Sequence, residues 1–437
     1  MNFTKNIISA VILICFSITN SNAQEVLTLE DAIKTALENN YEIRISKNDL
    51  TIDKTNVSVG NAGMLPTLSA NVVDNNSIQN TSQTRSDGTV TELDNAKNNS
   101  LTYGVGLDWT VFDGFKMFAR LDQLKAIQKL GEAELKLTII TKISDVTSTY
   151  YDLVQQQQQL KAYDSTIVIS NQRLNLAQNR FTIGKASKLE VLNAQVDLNT
   201  DTTTFLRQKE LYANTKTLLN QIIARDVKTD FKVIDSISVD KNLLLPELTS
   251  LAEKQNPQLE AQVLNKKIAE LQLKQVKSDR YPVVRLNSAY NFTESESSLG
   301  FVSQSSAKGL NYGFTATLNL FDGFAQRRNE RIAALQVENS KVLIEQQNQI
   351  LQSTLLTSYQ TYLTNLELSD LEEKNEAIAK QNLDITLEKF RIGTITTFEF
   401  RTAQLNYINA KVRNSNAKYQ AKLSEVSLKE LAGNLTF

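Results

Sequence analysis

The side chains that most enzymes use for catalysis are missing from this sequence. Its 437 residues include no histidine and one cysteine, Cys15. Ser-His-Asp triads, Cys-His nucleophiles and histidine-ligated metal sites need a residue type that does not occur, and CxxC sites need a second cysteine. The 47 basic and 48 acidic residues almost cancel, which leaves no basic surface for nucleic acid. We therefore expect no catalytic residue, no cofactor, no metal site and no nucleic-acid partner.

Two glutamates have the most regular placement among the groups that remain. They occur in Ser187-x-x-Glu190 and in Thr396-x-x-Glu399. This spacing is typical of a capping box, in which the hydroxyl and the carboxylate accept hydrogen bonds from the first N–H groups of a helix. The pattern predicts that a helix begins after each hydroxyl residue.

An internal duplication places the two motifs at equivalent positions. Residues 103–115, YGVGLDWTVFDGF, return as YGFTATLNLFDGF at 312–324, and residues 180–195 return at 389–404, each at an offset of 209. Nearer the N-terminus the offset is 216, and the difference lies in a polar stretch between residues 66 and 103. We expect this stretch to form an exposed loop. The chain is thus a tandem duplication of one unit.

The N-terminus has the features of a secretory signal. Lys5 precedes the apolar run from Ile7 to Ile18, and Ser21-Asn22-Ala23 has the small-x-small pattern of a cleavage site. These features predict a signal peptide at residues 1–23 that contains Cys15, and hence an exported protein. We expect a first repeat at 24–226, a linker at 227–245 and a second repeat at 246–437. No later apolar run is long enough to predict a transmembrane helix.

Each repeat is predicted to contain two strands, at about 66–75 and 101–112 in the first and about 283–293 and 310–321 in the second. Residues 101–111 alternate strictly between apolar side chains and small or polar ones. Such a segment matches the roughly 9–11 residues of a membrane-spanning strand. A half-buried strand of a soluble protein is the alternative.

Very long helices are predicted to follow the strands. No glycine or proline occurs from Glu132 to Ile183 or from Ala325 to Ile392. A helix over residues 116–181 would be roughly 100 Å long at 1.5 Å per residue. It carries a heptad stripe, which an ordinary coiled coil would also have, formed by Ile139, Val146, Leu153, Leu160, Ile167, Leu174 and Phe181.

Four membrane strands cannot close a barrel, because an open edge in lipid leaves backbone groups without hydrogen bonds. Closure needs at least eight strands, so two or three copies must combine. Small polar residues on the second strand face favour twelve strands around a lumen. We therefore predict a mainly α fold with membrane β, with four long-helix segments and four strands per chain. A twelve-stranded barrel that is continued by a periplasmic helical tube would be a conduit.

The repeated junction and turn resemble those of TolC-type outer membrane efflux proteins. The residues concerned are VFDGF at 111–115 and LFDGF at 320–324, RFTIGKASKLEVLNAQ and KFRIGTITTFEFRTAQ, and the N-terminal LTLEDAIKTALENN. The resemblance implies a homotrimer in the outer membrane, with a 12-stranded β-barrel continued by a periplasmic α-helical barrel. It implies a passive channel of a tripartite efflux pump or a type I secretion system, which exports small molecules or proteins. The implied partners are a periplasmic adaptor (membrane fusion) protein, an inner-membrane transporter and outer-membrane lipid.

The resemblance also assigns the two helical turns to adaptor contact. These tips comprise Arg180, Phe181, Thr182, Ile183, Gly184, Lys185, Ala186, Ser187, Lys389, Phe390, Arg391, Ile392, Gly393, Thr394, Ile395 and Thr396.

Three further residues fall at the tunnel entrance of the family, namely Glu190, Glu399 and Thr402. An acidic ring at Glu399 would favour cations in a narrow throat. Capping is the expected role of Glu190, and for Glu399 both interpretations stay open. Thr402 occupies the family's second acidic position, and Ile395 replaces a basic residue that locks the entrance in some members. A salt-bridged lock at this tip is therefore not expected.

Two other classes of protein remain as alternatives. A soluble periplasmic coiled-coil adaptor or scaffold would also contain long heptad helices. A hydrolase of the cell envelope that uses only aspartate and glutamate would be compatible with the absence of histidine.

Overall fold

The computed structural model describes residues 26–298 and 302–435, which divide into two units. The helical unit contains the described residues up to Lys47, with Glu134–Leu259 and the residues from Gln347 onwards. The sheet unit contains Asn48–Ala133 and Glu260–Gln346. The predicted signal peptide, residues 1–23, lies outside the described residues.

Helices account for most of the described residues. They are α1 (Leu29–Asn39), α2 (Tyr41–Asn56), α3 (Lys116–Thr182), α4 (Lys188–Ile222), α5 (Leu245–Gln255), α6 (Pro257–Ser278), α7 (Ala325–Ile392) and α8 (Thr397–Leu431). The long helices α3 and α7 have 67 and 68 residues, and α4 and α8 have 35 each. Within the described ranges, no helix has a stretch that is both long and apolar enough to cross a membrane.

The duplication is visible in the hydrogen bonds as well as in the helix bounds. Asn40 separates α1 from α2, and its side chain accepts from the backbone N–H groups of Glu42 and Ile43 while donating to the carbonyl of Ile222. Asn256 separates α5 from α6 and makes the same set of bonds, with its donor bond to the carbonyl of Leu431. Each asparagine therefore caps one helix and ties it to the end of a hairpin.

The strands are β1 (Val26–Leu27), β2 (Thr67–Thr84), β3 (Val90–Phe112), β4 (Lys232–Val233), β5 (Val283–Ser297) and β6 (Gln304–Thr317). Strands β2, β3, β5 and β6 form one antiparallel sheet in that order, and β1 pairs with β4 in parallel. The two repeats therefore contribute one hairpin each to the larger sheet.

The polar stretch between residues 66 and 103 is strand rather than the exposed loop we expected. Strands β2 and β3 extend through it as a two-stranded ribbon, and only residues 85–89 form the turn. Asn75 pairs with Ser100, and Thr84 pairs with Val90. Backbone hydrogen bonds do not depend on side-chain polarity, so serine, threonine and asparagine can extend a hairpin that the apolar residues start.

The last strand also ends earlier than the predicted residue 321. Thr317 is the last paired residue of β6, and it lies opposite Val283. The residue before Val283 is Pro282, which has no N–H to donate and so cannot continue the ladder.

The core of the helical unit forms around buried tyrosines. The hydroxyl of Tyr150 donates to the carbonyl of Leu27 at 2.9 Å and accepts from the N–H of Ile234 at 3.2 Å. The heptad residues Val146 and Leu153 are fully buried beside it. In the second repeat, Tyr362 is buried in the equivalent cluster. The heptad stripe is therefore a core stripe in this part of α3.

We expect the junction between β3 and α3 to depend on Gly114. This residue has φ +71°, and a Cβ atom there would lie 2.5 Å from the carbonyl oxygen of Ser278. Gly323, its counterpart, has φ +66° with open space around it. The left-handed conformation costs a residue with a Cβ roughly 1–2 kcal/mol, so both alanine variants should be strained. Only in Gly114→Ala does the new Cβ also clash with the backbone of Ser278. Thermal unfolding in detergent should show a larger loss of stability for Gly114→Ala than for Gly323→Ala. Equal losses would contradict this account of the junction.

Candidate functional site

The four-stranded sheet has one apolar face and one face of small and polar residues. In register, Val105 lies opposite Tyr290, which lies opposite Leu310. The preceding residue of β3, Gly104, pairs with Asn291, which pairs with Gly309. Since residues that lie directly opposite each other share a face, the row that Ala70 of β2 completes is apolar across all four strands.

The apolar face of the sheet is exposed rather than packed. Tyr103 stacks on Phe292 with ring centroids 5.1 Å apart, yet it remains accessible, as do Tyr312 and Phe314 on β6. Strands β2 and β6 are the two edges of the sheet, and each has one neighbouring strand in the described part of the chain. Rows of apolar side chains and free backbone groups are therefore both exposed in a single chain.

Aromatic residues, most of them exposed, lie where the strands lead into α3 and α7. The rings of Phe112 and Phe115 meet edge-on at 5.4 Å, and those of Phe321 and Phe324 do so at 5.5 Å. In the first repeat, the carboxylate of Asp113 caps the start of α3 by accepting from the N–H of Met117 at 2.9 Å. Aromatic residues of this kind are enriched at the boundaries of membrane-spanning segments.

Glycine turns end α3 and α7 at the predicted positions. Gly184 has φ +74° and Gly393 has φ +85°, and both are exposed. In each turn the backbone closes by the same bond, from the N–H of Lys185 to the carbonyl of Arg180 and from the N–H of Thr394 to the carbonyl of Lys389. These bonds are typical of a left-handed helix C-terminus.

The two turns differ in how their aromatic residues pack. Phe181 is exposed, whereas its counterpart Phe390 is buried and stacks on Phe400 with ring centroids 4.8 Å apart. Ile395 packs against this pair. The residue that replaces the family's basic position therefore takes part in an apolar cluster.

The two glutamates differ in how they cap their helices. Thr396 and Glu399 form a complete capping box, in which Glu399 Oε2 accepts from the N–H of Thr396 at 3.1 Å. At the first turn the described residues form only the hydroxyl half, from the N–H of Glu190 to Ser187 Oγ. Glu190 Oε1 lies 3.9 Å from Arg180 Nη1 and accepts no hydrogen bond from the described residues.

Glu399 and Thr402 lie one turn apart at the start of α8, and both are exposed. The hydroxyl of Thr402 donates to the carbonyl of Phe398 at 3.0 Å. Glu190 is half-buried. Of the three residues that we predicted at a tunnel entrance, Glu399 and Thr402 are thus the two with exposed side chains.

A buried charge cluster joins the two helical hairpins, which are formed by α3 with α4 and by α7 with α8. We did not predict this cluster from the sequence. Arg401 on α8 binds both oxygens of Asp201 on α4, each at 2.8 Å. Asp201 also accepts from Ser170 on α3, and Ser170 accepts from Gln404 at 2.9 Å. The bonds connect α3, α4 and α8 at one level.

A second ion pair extends the same cluster. Arg173 on α3 is 3% exposed and binds Asp197 on α4. Asp197 also lies 3.7 Å from Arg401. One signal in the sequence could have indicated the cluster. All four charged residues are replaced by neutral residues at the equivalent positions of the other repeat, 209 residues away.

Two half-buried carboxyl groups of the helical unit, Asp152 and Glu430, have a raised pKa. Burial raises the pKa of Asp152, while a hydrogen bond from Gln156 acts to lower it. Burial also raises the pKa of Glu430, opposed by a hydrogen bond from Ser144. Each carboxylate accepts a hydrogen bond from a neighbouring side chain. In the described ranges, no group of three or more acidic, histidine or cysteine side chains could hold a metal ion.

Comparison with known proteins gives the same picture as the geometry. Residues 32–225 and 248–434 match the outer membrane efflux protein family. Outer membrane protein TolC of Escherichia coli (strain K12) is 20% identical over 348 residues, which cover 77% of this chain and 70% of that protein. Protein CyaE of Bordetella pertussis is 22% identical over 354 residues, which cover 78% of this chain and 72% of that protein. The solved structure of the Campylobacter jejuni CmeC outer membrane channel has a TM-score of 0.79 at 16% identity, covering 93% of this chain and 85% of that chain.

The likeness to CmeC shows that this chain has the fold of an outer-membrane channel subunit. The two matched segments together span most of the sequence, one in each repeat, so the chain belongs to the outer membrane efflux protein family. This membership confirms the predicted class and location. The protein is an outer-membrane channel of efflux or secretion systems.

Proposed function

We propose that three copies of this chain form a passive export duct that docks onto a periplasmic adaptor and receives its cargo from an inner-membrane transporter. In this proposal the repeats at 24–226 and 246–437, linked by 227–245, each supply one hairpin to a 12-stranded barrel and one to a periplasmic helical barrel. The open edges of the sheet carry the proposal. Strands β2 and β6 can satisfy their outer backbone groups in lipid only by pairing with other copies.

The face of the sheet that carries small and polar residues supports an assembly of three copies rather than two. An eight-stranded barrel has an interior just wide enough to be filled by side chains, whereas more strands leave an aqueous lumen. Gly104, Gly106, Asn291 and Gly309 would leave such an interior empty rather than fill it. Twelve strands would place these small residues around water.

The duplication supplies a second argument for assembly. On α3, Ala162 is buried, and Ile169 and Leu176 pack against the cluster that Phe390 and Phe400 form. The counterparts at offset 209 on α7 are Leu371, Ile378 and Ile385, which are 52%, 66% and 52% exposed. This second row of apolar residues, which is distinct from the heptad stripe, is therefore covered in one repeat and exposed in the other. A neighbouring copy would cover the exposed row on α7 with its α4, as α8 covers the row on α3 within the chain.

Ile378→Glu should prevent assembly. Burying an isoleucine contributes roughly 1.5–3 kcal/mol, and a trimer would bury three. Native mass spectrometry of detergent-extracted protein should give a trimer for the parent chain and mainly monomer for the variant. Lys380→Glu, on the opposite side of α7, should leave the trimer intact. A parent chain that is monomeric, or that is extracted in buffer without detergent, would instead favour the soluble adaptor or scaffold.

The two glycine turns are the proposed adaptor contacts. They are exposed ends of long helices, they have the same backbone conformation in both repeats, and they present apolar side chains at Ile183 and Ile392. Exposed apolar residues on a rigid turn are suited to helix-in-groove or tip-to-tip binding by another protein.

Gly393→Val should weaken adaptor binding and reduce export, while the trimer persists. Valine is strained at φ +85°, so the turn must change shape. Gly393→Asn is the matched control, because asparagine tolerates the left-handed region. Drug tolerance of cells and co-purification of the adaptor should fall for valine and stay near the parent value for asparagine. Equal behaviour of the two variants would argue against the turn as a contact.

The exposed carboxylate of Glu399 is the proposed charge of the tunnel entrance. A ring of three such groups would attract cations in a narrow, poorly screened throat. The capping bond uses one carboxylate oxygen only, so capping and ion selection are compatible.

Glu399→Gln should lower the preference for cations while keeping the cap, since an amide oxygen can still accept from Thr396. We expect the ratio of potassium to chloride permeability in planar bilayers to fall about two- to tenfold. Glu190→Gln should change it less, because Arg180 already lies beside that carboxylate. An unchanged ratio in Glu399→Gln would leave helix capping as the function of this residue.

A further inference from the structure

Three arginines at the start of α7 form a basic patch that the proposed duct does not use. Arg327, Arg328 and Arg331 are exposed and lie within the first two turns of the helix. Among the described residues, none of these three side chains has a hydrogen-bond or ion-pair partner. We call them the α7 arginines.

The position of the α7 arginines is unfavourable for the helix itself. The N-terminal end of an α-helix carries a partial positive charge, so acidic residues are preferred there. The first turn of α7 contains no acidic residue. Arg327 and Arg331 are also four residues apart, a spacing at which like charges on a helix repel each other. The stability of α7 therefore does not account for them.

The nearest carboxylate on α7 is already engaged by another arginine. Glu330 receives the guanidinium of Arg280, which follows α6, with one bond of 2.8 Å between Arg280 Nη2 and Glu330 Oε2. Successive residues of a helix are about 100° apart, so Arg327 and Arg331 lie about 60–100° to the same side of Glu330. Glu330 thus neutralises Arg280 and leaves the charges of the α7 arginines unbalanced.

The α7 arginines come directly after the aromatic residues that follow the sheet. Strand β6 ends at Thr317, and Phe321 and Phe324 are 72% and 69% exposed. Aromatic residues of this kind mark the boundary of the hydrocarbon. Arg327 lies about 5 Å beyond Phe324 along the helix, and Arg331 about 10 Å.

These distances correspond to the layer of lipid headgroups. That layer extends roughly 5–8 Å beyond the hydrocarbon on each side of a bilayer. The side chains of a helix tilt towards its N-terminus, which for α7 is the end next to the sheet. Long arginine side chains on the first two turns can therefore reach back into the headgroup layer.

The first repeat has a different surface at the same positions. The residues that correspond to the α7 arginines at the offset of 209 are Phe118, Ala119 and Asp122. Phe118 is 56% exposed, and Ala119 is buried. The cluster of three arginines is thus particular to the junction of the second repeat.

We infer that the α7 arginines bind the phosphate groups of anionic phospholipids in the leaflet that faces the periplasm. A guanidinium group fits a phosphate through two parallel hydrogen bonds, and basic residues next to membrane-spanning segments attract anionic headgroups. Because only a sheet that spans the membrane brings the start of α7 to its surface, this assignment rests on the proposed function. The bound headgroups would fix the depth of the sheet in the bilayer.

Lipid titration of the purified protein tests the assignment. Protein stripped of lipid in detergent is titrated with phosphatidylglycerol or with phosphatidylcholine of the same acyl chains, and native mass spectrometry counts the bound lipids. The parent should bind phosphatidylglycerol at least tenfold more tightly than phosphatidylcholine. Arg327→Gln with Arg331→Gln should reduce this preference to twofold or less, since each basic residue near an anionic surface contributes about fivefold.

A matched control removes two cations of the same spacing at another place. Lys125 and Lys129 are exposed and four residues apart on α3, about 10 Å further along their helix than the positions equivalent to Arg327 and Arg331. Lys125→Gln with Lys129→Gln should keep the preference for phosphatidylglycerol. A parent without this preference, or an arginine variant that keeps it, would overturn the assignment.

Thermal unfolding distinguishes lipid binding from a structural role. In detergent without lipid, Arg327→Gln with Arg331→Gln should unfold at the same or a higher Tm than the parent, because the repulsion between the two charges is gone. Added phosphatidylglycerol should raise the Tm of the parent and not that of the variant. A variant that is less stable without lipid but gains as much Tm from phosphatidylglycerol as the parent would show a structural role and contradict the assignment.

The masses also separate this assignment from the proposed function. A trimer with no preference for phosphatidylglycerol would overturn the assignment and leave the trimer standing. A monomer that binds phosphatidylglycerol through the two arginines would overturn the trimer and support the assignment. A monomer without the preference would overturn both.

Discussion

The structure depends on one constraint, which is that backbone N–H and C=O groups must find partners wherever water is excluded. Strands β2 and β6 each have one neighbour in the described chain, so their outer edges are unsatisfied. In hydrocarbon each such group costs several kcal/mol. The apolar rows through Val105, Tyr290 and Leu310 make the same sheet unsuitable for open water. The sheet is therefore a partial structure, and other copies of the chain are the natural source of matching strands.

The duplication extends this incompleteness to the helices. Ile169 and Leu176 on α3 are covered by residues of the second repeat, whereas the equivalent Ile378 and Ile385 on α7 are exposed. When the second half of a duplicated chain packs onto the first through a different surface, one surface of each kind is left unoccupied. Successive copies can fill that surface in turn, and a closed ring leaves none exposed. The edges of the sheet and the bare helical stripe are thus two consequences of the same repeated architecture.

Much of this organisation could be predicted from the sequence because it depends on periodicity. The offset of 209 and the absence of glycine and proline fixed the long helices, and Gly184 and Gly393 marked their ends. The polar ribbon of β2 and β3 could not be predicted, since backbone pairing leaves no apolar pattern there. The spacing of Ser187 and Glu190 predicted the helix start that the structure has, but a local spacing cannot show that Arg180 lies beside the carboxylate. The charge cluster joins α8 to α3 and α4, which lie about 200 residues earlier in the chain, so no local pattern indicates the contact and only the comparison of the two repeats could have.

The divergence of the two repeats is clearest at the buried charge cluster. Arg401 on α8 binds both carboxylate oxygens of Asp201 on α4, each at 2.8 Å. The corresponding positions of the other repeat hold the neutral residues Leu192 and Ala410. Removing one partner of a buried ion pair is strongly unfavourable, so this pair holds α8 against α4 within one chain. The two repeats thus share a backbone plan, while their side chains differ where the second helical hairpin packs onto the first.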